Sequence, residues 1–184
     1  MLNVAKLRAG QERCYLDSVT SRVEDYYLGY GEEPGQWTGH ASELTDLDGV
    51  ARTELLGRVL RGRDPNSGVR FTQVRKDRVP GFDLTFSAPK SVSVLWALTD
   101  SEVAREVRSA RDRAVDAALG WMEREACRSR RGVDDIEHLV GDGFVAAEFF
   151  HRTSWAGDPQ LNSYVLCRER CAERRSPPRC GSAA

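Results

Sequence analysis

The sequence predicts a two-layer α+β domain, a mainly antiparallel sheet with helices packed on one face. Three observations carry that prediction. Phe82, Leu84 and Phe86 alternate with Asp83, Thr85 and Ser87, the period-two pattern of a half-buried strand. Phe144 to His151 and Leu161 to Leu166 are apolar runs joined by a polar loop in which Gly157, Asp158 and Pro159 supply turn chemistry, as expected of two paired strands. Ser101 to about Cys127 is a long amphipathic stretch, with Val103, Val107, Ala110, Ala114, Ala118 and Met122 as its apolar stripe.

Bulk properties narrow the function classes. A chain of 184 residues, 40% hydrophobic and 30% charged, suits one soluble domain with a real core. The net charge of −1 gives no global pull toward nucleic acid, so such binding must use a local patch. The longest apolar run, Val92 to Leu98, is interrupted by Ser93 and is far too short to span a membrane. The opening MLNVAKLRAG lacks the apolar centre of a signal peptide, which makes a cytoplasmic location the expectation. Five cysteines, an odd number at irregular spacing, do not form a secreted disulfide framework.

Taken in order, Met1 to Leu7 suits a short strand, Gly10 breaks it, and Gln11 to Val19 reads as helical. Tyr15, Tyr26 and Tyr27 follow, the last two preceded by Glu24 and Asp25. A phenol titrates near pH 10, so it attacks a phosphate only with help from a metal or a carboxylate base; unaided, these tyrosines are amphipathic residues on a helix surface. Gly31 to Gly39 is rich in turn residues, with Trp37 expected to plug the core. Leu55, Leu56, Val59 and Leu60 have helical spacing, and Gly62 to Gly68 is a loop. Ser87 is placed as the N-cap of a helix with Pro89 in its first turn, ending at about Leu98. A helix start offers free N–H groups to an anion, and with Lys90 and Ser91 beside it this makes a phosphate site. Thr99 and Glu102 have capping-box spacing for the long helix. Arg128 to Arg131 is a short exposed basic run, and His40 and His138 have no partners at ligand spacing. Residues two apart on a strand share a face, so Asn162 and Tyr164 project together, Ser163 points away, and His151 on the paired strand faces the same spot.

These motifs resemble those of the MobF-type conjugative relaxases, the TrwC/TraI family. Asp83 to Ser91 (DLTFSAPKS) is similar to a block that the family carries, and Tyr26-Tyr27 matches its second tyrosine pair, while Cys14-Tyr15 stands at the first. His151 and Asp158-Pro159-Gln160-Leu161 match a metal motif that ends in H-T-H in the family and in Asn162-Ser163-Tyr164 here. The resemblance implies a relaxase/HUH-like fold and a metal-dependent transesterase. Such an enzyme nicks single-stranded DNA at an origin of transfer through a covalent tyrosyl-DNA intermediate. It implies Tyr26, Tyr27 or Tyr15 as nucleophile, Asp83 as base or supporting carboxylate, and Ser87, Lys90 and Ser91 as phosphate contacts. His151 falls at one metal-ligand position, with Asn162 and Tyr164 at the other two, and the metal implied is Mg²⁺ or Mn²⁺. Single-stranded DNA and other conjugation proteins are the implied partners.

The exchanged ligands set a further expectation. Asn162 offers a neutral amide oxygen, which holds a hard cation weakly, and Tyr164 ligates only after losing a proton or else fills the vacated space. Weak metal binding and nicking lost or nearly so are expected. His→Asn, Thr→Ser and His→Tyr each need one base change, which fits drift as well as adaptation. Residues 1–166 read as the N-terminal part of a relaxase domain. Residues 167–184 read as an atypical Cys/Arg/Pro-rich tail, expected to be disordered and to follow a truncation or frameshift near Cys167. A zinc site from Cys167, Cys171 and Cys180 matches no common finger spacing. Two alternatives stand beside the enzyme: a non-catalytic single-stranded DNA-binding remnant, and a decayed frame that folds poorly.

Overall fold

The computed structural model describes residues 1–8, 33–70, 79–131, 137–154 and 156–170. In chain order the elements are β1 (Leu2–Lys6), β2 (Gln36–Thr38), α1 (His40–Glu43), α2 (Thr53–Leu60), β3 (Phe82–Ser87), α3 (Lys90–Leu98), α4 (Ser101–Ala126), β4 (Arg128–Arg131), β5 (Glu137–Val140), β6 (Gly143–Thr153) and β7 (Pro159–Arg170). Five strands form one sheet in the order β1-β3-β7-β6-β2, with every neighbouring pair antiparallel. β4 and β5 form a separate two-stranded ribbon. This is the expected α+β class.

The alternating pattern of β3 decides which side each residue takes. Leu84 and Phe86 join Val165, Cys167, Phe144 and Ala146 on one face, where α4 lays Val115 and Leu119 over them. The opposite face presents Ala147, Phe149 and Leu166, which pack on Leu56 and Leu60 of α2. Trp37 lies against this cluster and against a third one around Val59 and Val145, so it does plug the core. The long helix thus covers one face, as expected, while the short α1 and α2 close one end of the other. Gly157 takes φ 83° between β6 and β7, where its amide donates to Ser154 O at 3.0 Å and closes the turn.

Two helix starts differ from expectation. α3 begins at Lys90 with Pro89 in the capping position and no side-chain cap, so Ser87 is not its N-cap. Ala88 precedes proline and is excluded from helical backbone, so the chain stays extended until Pro89 has passed. Ser87 remains in β3, its amide donating to Met1 O at 2.8 Å. α4 is capped by Asp100, whose Oδ1 accepts from Glu102 N at 2.9 Å and Val103 N at 3.0 Å. Thr99 is taken up as the C-terminal cap of α3, so the N-cap of α4 falls one position later, at Asp100. Burial in α4 concentrates at Val115 and Leu119, and Val103 at the start of the expected stripe is exposed.

β7 continues past Leu166 to Arg170, and Cys167 is buried within it. The helix expected over Gln11 to Val19 and the cysteines at 171 and 180 lie outside the described residues.

Candidate functional site

Strand register builds the site row by row. His151 stands across from Asn162, which stands across from Ser87. The next row is Phe149, Tyr164 and Thr85, and the next Ala147, Leu166 and Asp83. Because rows two residues apart share a face, His151, Asn162, Tyr164, Thr85 and Asp83 all belong to the side that α2 closes at its other end. A register shift between His151 and Thr153 ends the regular pairing beside the site.

His151 and Asn162 are 5% and 8% exposed, and the rings of His151 and Tyr164 meet edge to face with centroids 4.9 Å apart. Asn162 Oδ1 is buried with no hydrogen-bond partner among the described residues. A buried acceptor left unpaired is costly. Ser163 is fully buried and hydrogen-bonded to Arg111 on the far side, as the strand alternation requires.

The donor set does not fit a tightly held divalent ion. It offers one imidazole, one neutral amide oxygen and a phenol packed against that imidazole. Among the described residues no three His, Cys, Asp or Glu side chains form a metal-holding group.

Asp83 is 7% exposed, and Thr85 Oγ1 lies 3.4 Å from its Oδ1. Burial raises its carboxyl from the ordinary value to about 6, against a smaller lowering by the Thr85 hydroxyl. It is therefore ionised at neutral pH yet more basic than a surface aspartate, which suits a general base. The raised value has a sign for stability. The native state keeps a proton that the unfolded chain has released, so stability is full below about pH 4 and falls as pH rises through 6. Asp83→Asn is expected to remove this slope and to gain about 1–2 kcal/mol at pH 8, after discounting for solvent screening. Urea denaturation at pH 4 and pH 8 measures it.

The block Ser87 to Ser93 does other work than expected. Ala88 N donates to Leu161 O at 3.0 Å, and Leu161 N donates to Ser93 Oγ at 3.1 Å. Lys90 Nζ donates to Pro159 O at 3.1 Å and lies 4.0 Å from Asp158 Oδ2. The start of α3 thus grips the first residues of β7 and fixes where Asn162 begins. Ser91 is exposed on the first turn of α3, whereas Ser87 sits back in the strand. Sequence reasoning missed Ser93, which is fully buried; its signal was a lone hydroxyl within an apolar helix run. His40 is exposed, 3.7 Å from Glu43. Tyr15, Tyr26 and Tyr27 lie outside the described residues.

Comparison with known proteins follows the same pattern. Residues 9–172 match the model of the TrwC relaxase family. The chain is 33% identical over 171 residues to the multifunctional conjugation protein TraI of Escherichia coli strain K12, covering 90% of this chain and 9% of that protein. A second E. coli TraI is 34% identical over 147 residues, covering 78% of this chain and 8% of the relative. Among solved structures, the metal-bound conjugative relaxase TrwC in complex with oriT DNA superposes with a TM-score of 0.73 at 27% identity, covering 94% of this chain and 61% of that one. The chain therefore spans under a tenth of the TraI proteins and about three-fifths of the TrwC structure. With a family match over nearly its whole length and a fold to agree, the chain belongs to the TrwC relaxase family.

Proposed function

We propose that this chain binds single-stranded DNA of a transfer origin on the His151–Asn162–Tyr164 face, and that its nicking activity is strongly impaired. The observation that supports this is the row itself: the strands bring the three ligand positions together, but only one carries an imidazole. In the reaction, the phenol oxygen of Tyr26, Tyr27 or Tyr15 forms a bond to phosphorus while the bond to the 3′ oxygen breaks. The products are a 5′-phosphotyrosyl strand and a free 3′-hydroxyl. Asp83 accepts the phenol proton, and a proton is delivered to the leaving oxygen. The TrwC structure is metal-bound; in this chain Mg²⁺ or Mn²⁺ would fall to His151 and Asn162, a donor set that favours weak binding, and would supply charge to the phosphate only when loaded. The partners that fit this reading are single-stranded DNA and other conjugation proteins in the cytoplasm. No described helix is long and apolar enough to cross a membrane.

A random-sequence single-stranded DNA library with Mn²⁺ tests the proposal, because the library supplies the unknown target. Covalent protein–DNA adducts are isolated under denaturing conditions from the unaltered chain and from Asn162→His/Tyr164→His. The doubly substituted chain is expected to give adduct at least about 100-fold in excess of the parent. Equal yields from the two proteins, or none from either, would reject the proposal. The second reading, DNA binding without any chemistry, is distinguished by salt-sensitive binding that needs no metal and leaves no covalent adduct.

A further inference from the structure

Behind the His151–Asn162–Tyr164 row, on the sheet face that α4 covers, lies a polar group that the function above does not use. Arg111 of α4 has a side chain only 8% exposed. It donates to the Ser163 hydroxyl of β7, which in turn donates to Glu148 of β6, and it also donates to that carboxylate directly at 3.5 Å. Its guanidinium stands over the Phe150 ring, 4.6 Å from the centre, beside that of Arg108 at 3.7 Å. Asp112 accepts from both, from Arg111 at 2.6 Å and from Arg108 Nε at 3.1 Å, which holds the two planar forks side by side. Arg108 also makes two bonds to Glu33, at 2.8 and 2.9 Å.

The positions of these residues give the cluster its meaning. Phe150 and Ser163 are cross-strand partners; Phe150 precedes His151, and Ser163 lies between Asn162 and Tyr164. One guanidinium therefore braces, from behind, the neighbours of all three residues of the row. The strand ladder fixes the two sides of that row unequally. β7 is paired with β3 as far as Asn162 and Ser87. Regular pairing of β6 with β7 stops at His151 and Asn162, where the register shifts before Thr153. The weakly held member is thus the end of β6, and a one-residue slip there would turn His151 to the other face. The same slip would carry Phe150 and Glu148 away from Arg111, leaving a largely buried guanidinium short of its carboxylate, which is costly.

We propose that Arg111 is a positioning residue of the site: through Glu148, Phe150 and Ser163 it holds the end of β6 in the register that sets His151 against Asn162 and Tyr164. The proposal rests on the reading that this row meets DNA. Its chemistry asks for arginine, because the planar fork serves Ser163, Glu148 and Asp112 at once while lying flat over Phe150. A lysine ammonium is a point charge on a flexible stem and satisfies only part of that set.

Two-dimensional NMR of the full chain tests this without DNA or metal. Four proteins are compared: unaltered, Arg111→Met, Arg111→Lys and Ser163→Ala. The chain has three histidines, and His151→Gln identifies the His151 ring signals. In the unaltered chain a through-space cross-peak joins the rings of His151 and Tyr164, whose centroids are 4.9 Å apart. Loss of that cross-peak is expected in Arg111→Met, and weakening in Arg111→Lys and Ser163→Ala. Cross-peaks within the cluster of Phe144, Val115 and Leu119, at the other end of β6, are expected to persist in all four. Methionine fills the space over Phe150, and the Glu148 side chain, 21% exposed, can take water in place of its partner, so the fold is kept. A merely structural role would weaken both sets of peaks together. A ring cross-peak that is absent from the unaltered chain, that survives in Arg111→Met, or that is lost only along with the Val115 and Leu119 peaks would overturn the proposal. Should Arg111→Met not fold, Ser163→Ala, which removes a hydroxyl and no charge, decides by the same comparison. Failure of the adduct assay above would instead reject the proposed function and leave this result standing.

Discussion

Substituting histidine at both Asn162 and Tyr164 is expected to raise the affinity of the chain for Mn²⁺ by more than about 100-fold, since outer-sphere partners alone contribute 10–100-fold at metal sites and these are inner ligands. The register makes the substitution geometrically sound: His151 faces Asn162 directly, and Tyr164 already brings its ring to 4.9 Å from the His151 ring. Three neutral imidazoles then converge on one point and leave other coordination positions open. Each single substitution is expected to give only part of the gain, because two imidazoles and an amide still hold the ion weakly. Imidazole binds metal only when neutral, so the gain should fade below about pH 6. Electron paramagnetic resonance of free Mn²⁺ during titration measures all three variants. A double variant that binds no more tightly than the parent would show that some other feature of the site, not its ligands, is at fault.

Leu166→Ala is expected to cost roughly 2–5 kcal/mol, the usual range for emptying a fully buried leucine site. Leu166 is 0% exposed and lies mid-strand in β7, between Asp83 of β3 and Ala147 of β6, with Leu56 and Leu60 of α2 above it. For a chain of this size the loss corresponds to a fall of about 10 °C in Tm. Leu2→Ala at the exposed β1 edge serves as the contrast, with an effect within about 0.5 kcal/mol. Circular dichroism during heating measures both. A cooperative melt for the parent with these two shifts would mark a specifically packed core; a broad melt indifferent to Leu166 would favour a poorly folded frame.

The part of the fold that was legible in the sequence is the part set by short-range rules. Period-two alternation in β3 and the Gly157-Asp158-Pro159 turn sufficed to put Asn162 and Tyr164 on one face and His151 opposite them, because strand geometry leaves no other choice. Leu55 to Leu60 fixed α2 in the same way. Where neighbouring signals competed, the sequence misled. Ser87 has the chemistry of an N-cap, but the proline two residues later delays the helix and the sheet keeps the serine. Thr99 lost to Asp100 for a similar reason, since two helices meet there and only one residue can cap the second. The four-residue α1 has no periodicity to betray it. What was invisible is long-range: Glu33 and Arg108 are 75 positions apart, and Arg111 and Ser163 are 52 apart. Nothing local marks Arg108 or Arg111 among the arginines of an amphipathic helix, and only the folded sheet reveals that they face Phe150 and Ser163.

The most direct test is the metal dependence of DNA binding by the unaltered chain. A fluorescent random-sequence single-stranded oligonucleotide pool is titrated with protein in EDTA and again in Mn²⁺, at several salt concentrations. Equal affinity in the two, within about twofold, falling with salt as counterion release demands, is the expected result. Binding that appears only with Mn²⁺, or an Mn²⁺-dependent tyrosyl adduct from the unaltered chain as abundant as that from Asn162→His/Tyr164→His, would contradict it.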